Sequence, residues 1–167
     1  MKIRIIFIIL LSFSLLLCSC IKRREIKVES DKGIVDKIIR EYVSALDSAD
    51  MDKLLNLYAK NPDIIVIGTG DEFYTGHDQV EKFYKEFKLT LSQWTKRHFT
   101  LSELETKLID GIAWFSSRLD LSFEQKVKTK GKTKVKLIEK KIRLTGVLIK
   151  EEGNWKLVQS HMSLPSL

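Results

Sequence analysis

Residues 143–163 read RLTGVLIKEEGNWKLVQSHMS. Two stretches of alternating apolar and polar residues flank Glu151-Glu152-Gly153-Asn154, a turn signal. The pattern predicts an antiparallel hairpin in which a long strand over residues 135–150 turns into a last strand over 155–162. Strict alternation on that last strand would put Trp155, Leu157, Gln159, His161 and Ser163 on one face. The matching face of the preceding strand would carry Arg143, Thr145 and Val147.

Upstream, the same alternation continues back to Ser92. Residues 94–108 form one strand region, Asp110-Gly111 a turn, and residues 112–123 the next strand. Lys126 to Lys136 is a hairpin tip around Gly131. Before Ser92 the period changes. Ile34, Ile38, Ile39, Tyr42, Ala45 and Leu46 recur at steps of three and four, which predicts an amphipathic helix starting near Gly33. Asp47-Ser48-Ala49-Asp50 breaks it, and Asp50 is placed to cap a second helix over 51–59 that Asn61-Pro62-Asp63 stops. Ile64-Ile65-Val66-Ile67 reads as a buried strand, with Phe73 and Tyr74 on a short second strand or loop. Thr75-Gly76-His77-Asp78 resembles a capped helix start, with Thr75 as the cap, and a helix follows to about Leu91. Helices first and an antiparallel meander after them give an α+β chain with three helices on one face of a strongly curved, mainly antiparallel sheet.

Three segments taken in order resemble the SnoaL-like branch of the nuclear transport factor 2-like superfamily, which also holds ketosteroid-isomerase-like proteins. They are residues 41–50 with Leu54-Leu55 and Leu57-Tyr58-Ala59, then Tyr74-Thr75-Gly76-His77-Asp78, then residues 143–150 with 153–163. The resemblance covers about residues 33–165. It implies a cone-like α+β roll with a pocket at the wide end, often in a homodimer. Such folds host enzymes and binding proteins alike, so function rests on the site.

Ketosteroid isomerases combine a carboxylate base with an oxyanion hole of a tyrosine and a protonated aspartic acid. Tyr42 matches the tyrosine. The base position falls near Val66 or Ile67 and the aspartate near Thr145, and none of these can move the proton. A pocket of Tyr42, Tyr74, Trp114, Arg143, Gln159 and His161 would be apolar with a few polar groups, as ligand sites usually are. Within it His161 is the candidate general base or ligand-orienting group, and the same residues read equally well as core and sheet side chains. Metal binding has little support, since His77, His98 and His161 lie far apart and no two of them stand at i+2 or i+4. No nucleotide fingerprint occurs, and no cofactor is expected.

The chain's beginning bears on its location. Lys2 and Arg4 precede an apolar run from Ile5 to Leu17 broken only by Ser12 and Ser14, the length of a signal-peptide core. Leu17-Cys18-Ser19-Cys20 resembles the bacterial lipobox, which predicts cleavage before Cys20 and lipid on that residue. Residues 1–19 are then a signal peptide, 20–32 a lipidated charged tether and 33–167 the domain. Cys18 and Cys20 are the chain's two cysteines, so the exported domain would hold no thiol. The expected place is the cell envelope, anchored to a bilayer (the outer membrane where there is one) with the domain outside the cytoplasm. Loss of Lys2 and Arg4 with the signal lowers the net charge from +7 to +5. Export, and the lack of aromatic platforms beside the charge, disfavour a nucleic-acid partner.

Lys126, Lys128, Lys130, Lys132, Lys134 and Lys136 occupy every second position. They read either as edge protection that blocks sheet-to-sheet pairing or as a basic finger for an anionic surface. Three functions stay open at this level. One is a non-enzymatic, membrane-anchored domain that binds a small apolar or amphipathic ligand or assembles through its sheet. The second is an enzyme using His161. The third is an interaction module working through the Lys126–Lys136 hairpin.

Overall fold

A computed structural model describes residues 31–129 and 132–165. The expected signal peptide, Cys20, most of the tether and the Lys130-Gly131 tip lie outside the described residues. The described residues from Val35 onward form one compact unit. Among the described residues the buried apolar core runs from Val35 to Met162, so a chain beginning at residue 31 keeps that core whole. No helix among these residues is long and apolar enough to cross a membrane.

The first helix, α1, covers residues 31–48. It takes in Asp31 and Lys32, which the sequence had assigned to the tether. Val35, Ile39, Tyr42, Val43 and Leu46 form its buried stripe. Ala49, at φ 56°, ends it. Helix α2 (Met51–Leu55) is capped as expected, the Asp50 carboxylate accepting from the Lys53 backbone N–H at 3.0 Å.

That helix stops four residues short of the predicted Ala59. Leu57 and Ala59 instead exchange backbone hydrogen bonds with Leu157, at 2.9 and 2.8 Å, and Tyr58 forms a parallel bridge with it. Pairing with a strand a hundred residues away overrides helix propensity here, and it turns the Tyr58 side chain inward.

Strands β1 (Ile65–Ile67) and β2 (Phe73–Thr75) form a short hairpin, followed by helix α3 (His77–Ser92). Thr75 closes β2 and does not cap α3. Gly76 takes the cap position at φ 77°, without a side-chain hydrogen bond, and Gln79 Oε1 accepts from the Thr75 N–H. The long strands are β3 (Thr95–Ile109), β4 (Ile112–Thr129), β5 (Lys132–Glu151) and β6 (Asn154–Ser163). Spatial order is β2-β1-β6-β5-β4-β3, antiparallel throughout except that β1 runs parallel to β6.

Curvature comes from irregular pairing. β3 slips against β4 between Thr95 and His98 and again between Ser102 and Glu105, and the residues inside those slips, Lys96 (φ 50°) and Glu103 (φ 51°), are left-handed. Such bulges bend the strand and steepen its twist. Arg97 anchors the bend: its guanidinium donates to the Leu91 carbonyl in the last turn of α3 and the Asp47 carbonyl in the last turn of α1, both at 2.7 Å. The result is an α+β roll with the helices in the concave side of a six-stranded sheet.

Candidate functional site

Register assigns each candidate residue to a face. One row of cross-strand partners runs Tyr74–Val66–Ser160–Gly146–Phe115–Thr106, from β2 to β3. Val66, Ser160, Phe115 and Thr106 are buried, so this row faces the concave interior. The next row, Phe73–Ile67–His161–Thr145–Ser116–Glu105, points the other way, as does Thr75–Ile65–Gln159–Val147–Trp114–Lys107. Arg143 follows Thr145 by alternation and joins that outer face.

Of the six sequence-predicted pocket residues, Tyr42 and Tyr74 therefore lie inside the cone, while Trp114, Arg143, Gln159 and His161 share the outer face. The predicted single face of β6 is corrected by a bulge. Val147 pairs with Gln159, but Leu148 pairs with Leu157, so Val158 is the extra residue. Trp155 and Leu157 point inward before it; Ser160 and Met162 do so after it. A one-residue slip exchanges the faces of everything downstream. Nothing in the alternation of residues 155–163 marks the slip.

The interior carries a constellation that the sequence reading missed. Tyr42 Oη lies 2.9 Å from Tyr84 Oη, Tyr84 Oη lies 2.9 Å from Tyr58 Oη, and Tyr58 Oη lies 2.6 Å from Ser160 Oγ. All four residues are at most 1 % exposed. Three elements and a strand meet here: α1 brings Tyr42, the Tyr58–Leu157 bridge brings Tyr58, α3 brings Tyr84 and β6 brings Ser160. Burial in apolar surroundings disfavours phenolate and raises the pKa of all three tyrosines; ionising one beside another adds to this for Tyr58 and Tyr84. These phenols stay neutral and can donate hydrogen bonds, but they cannot serve as bases. Buried polar residues among those described are Thr106, Ser117 and Ser160, with no carboxylate.

From this cluster an aromatic ladder leads outward along α3. Tyr74 stacks on Phe83 at 4.6 Å, Phe83 on Phe87 at 5.7 Å, and Trp94 on Phe123 at 4.0 Å. Surface depressions formed by described residues include one over β3–β5 by Asp120 and Lys141 and one before α3 by Asn61 and His77.

On the outer face, His161 is half-buried between Ile67 and Thr145. The carboxylate in its row, Glu105, is three strands away, about 14 Å at ~4.8 Å per strand. That is beyond reach for a base and its orienting acid. Thr145, Gln159 and Arg143 share this face with His161, and two strands away on either side stand Trp114, 45 % exposed on β4, and Phe73, 61 % exposed on β2. No group of three His, Cys, Asp or Glu side chains among the described residues could hold a metal ion.

Comparisons agree with the fold. The chain is similar to a candidate dehydratase of the NTF2-like family from Streptomyces avermitilis, at 15 % identity and TM-score 0.69, covering 84 % of this chain and 99 % of that one. It is similar to an NTF2-like superfamily protein from Salmonella enterica at 20 % identity and TM-score 0.66, covering 83 % and 94 %. A candidate calcium/calmodulin-dependent protein kinase II association domain from Xanthomonas campestris aligns at 21 % identity and TM-score 0.58, covering 78 % and 85 %. No curated protein matches the sequence. The family model for the SnoaL-like domain matches residues 35–166, nearly the whole of the compact unit, and the chain belongs to that family.

Proposed function

We propose that the protein is a membrane-anchored lipoprotein of the cell envelope whose SnoaL-like domain works without catalysis, as an assembly domain pairing two copies through the outer sheet face. The observation that carries this reading is the exposed apolar surface on β3 and β4 of that face, where Trp114 stands beside Ile112 and its cross-strand partner Ile109. Contiguous exposed apolar surface on a sheet marks an interaction site, and a large aromatic at its centre is the usual anchor. The assembly reading also fits a likeness to a candidate association domain.

Two observations weigh against catalysis through the cone. Its phenols lack a carboxylate partner, and His161, the enzyme candidate, lies on the opposite face of the sheet. The anchor rests on Leu17-Cys18-Ser19-Cys20: in cells given labelled fatty acid, Cys20→Ser should abolish labelling and release the protein from membranes, and retained labelling would refute it.

Sedimentation of the chain from residue 31 tests the assembly. A dimer is expected, and Trp114→Glu should weaken it by about 30-fold or more, the scale of a central anchor. A monomer at every concentration, or a dimer indifferent to Trp114→Glu, removes the sheet face from the proposal.

A further inference from the structure

Beyond Glu124 and Arg143 the sheet narrows to two strands. β3 ends its pairing there with Thr95 opposite Glu124, and β6 with Ser163 opposite Arg143. Among the described residues, Gln125–Thr129 and Lys132–Lys136 pair only with each other. Five residues per arm at ~3.3 Å each make a ribbon reaching roughly 17 Å past its neighbours. Residues 125–138 contain six lysines and no acid.

Register sorts the ribbon into two faces. Lys126 and Lys128 stand opposite Val135 and Thr133, while Lys132, Lys134 and Lys136 stand opposite Thr129, Val127 and Gln125. The first face also carries Leu137. Val135 is 58 % and Leu137 60 % exposed. Edge protection accounts for lysines on a bare ribbon, but it works by keeping aliphatic side chains off such an edge. Here two stand on the lysine face: Val135 opposite Lys126, and Leu137 at its base opposite Glu124, whose carboxylate is paired with Lys96.

Cations flanking exposed aliphatic groups match the boundary between lipid headgroups and acyl chains. Ammonium groups meet anionic headgroups while the aliphatic groups enter the layer beneath. A soluble polyanion would engage the charge and leave Val135 and Leu137 unused. We infer that the β4–β5 ribbon is a contact for an anionic bilayer surface, made by Lys126 and Lys128 together with Val135 and Leu137. This contact is separate from the lipid on Cys20 and from the outer-face assembly around Trp114.

The test uses the chain from residue 31, which lacks the anchor, and co-sedimentation with vesicles of phosphatidylglycerol in phosphatidylcholine or of phosphatidylcholine alone. Binding is expected on the anionic vesicles and should fall with added salt. Lys126→Glu with Lys128→Glu should weaken it by about tenfold or more, and Val135→Ser with Leu137→Ser by about fivefold. Thermal unfolding followed by circular dichroism should be unchanged in both, because these side chains are exposed. Equal binding to both vesicles overturns the inference. So does full binding by the serine pair, which would reassign the lysines to a charge-only partner. Sedimentation of the same variants without lipid separates a loss of assembly from a loss of membrane contact.

Discussion

Gly146 carries a constraint that its place in an ordinary-looking strand does not reveal. A Cβ there would lie 2.5 Å from the Gln159 carbonyl oxygen and 2.6 Å from Phe115 Cε1. The first is backbone of the neighbouring strand and cannot swing aside. Gly146→Ala is therefore expected to cost about 2 kcal/mol or more through overpacking, read as a lower urea midpoint. Tyr58 is the hinge of the phenol chain, bonded to both Tyr84 and Ser160. Tyr58→Phe keeps the ring but strands the buried Ser160 hydroxyl and leaves Tyr84 with Tyr42 alone, for an expected loss of about 1–3 kcal/mol. A midpoint within error of the parent would mean that water replaces the lost partner. Tyr42 was legible from the family resemblance, whereas Tyr58 and Tyr84 read as ordinary members of apolar stripes. Three tyrosines in the helical half, each on an inward face, were the signal that could have found them.

At the scale of elements, turns were legible and bulges were not. Asp110-Gly111 and Glu152-Gly153 both adopt positive φ, at 42° and 84° and at 48° and 84°, as two-residue hairpin turns require. Glutamate is a poor occupant of that conformation. Glu152→Asn should stabilise the β5–β6 hairpin by about 0.5–1 kcal/mol, since Asn tolerates a left-handed backbone at lower cost; unfolding in urea checks it. The β3 and β6 bulges have no such residue signature, Lys96, Glu103 and Val158 being unremarkable in composition. Their consequence is large, because the β6 bulge moved Gln159 and His161 out of the expected pocket. The end of α2 was misread for a related reason: backbone bonds to Leu157 replaced the last helical turn.

For the whole molecule, the buried phenols link stability to alkaline pH. The folded state holds their protons more tightly than the unfolded chain, whose tyrosines titrate near 10.0. This contribution is fully present below pH 10 and is lost as pH rises toward the elevated folded values. Urea midpoints should accordingly fall as pH climbs above about 10, with tyrosinate absorbance from these residues appearing together with unfolding. The variant Tyr42→Phe with Tyr84→Phe should lose stability less steeply over that range. Early tyrosinate absorbance from this cluster in the native state would mean that the cone interior admits water.

Local chemistry alone determined a good deal about this protein. Periodicity separated the helical first half from the strand-rich second, Asp50 and the Gly-containing turns fixed element ends, and residues 41–59, 74–78 and 143–163 pointed to the SnoaL-like family. Those features depend on neighbours a few positions away, which a sequence displays directly. What faces what was decided by tertiary structure. Pairing between strands distant in the chain set the slips at Lys96, Glu103 and Val158, and side chains alternate with a period of two, so each slip exchanged inside for outside. The β6 slip in this way set Gln159 and His161 on the outer face with Trp114 and Arg143, apart from Tyr42 and the buried phenols.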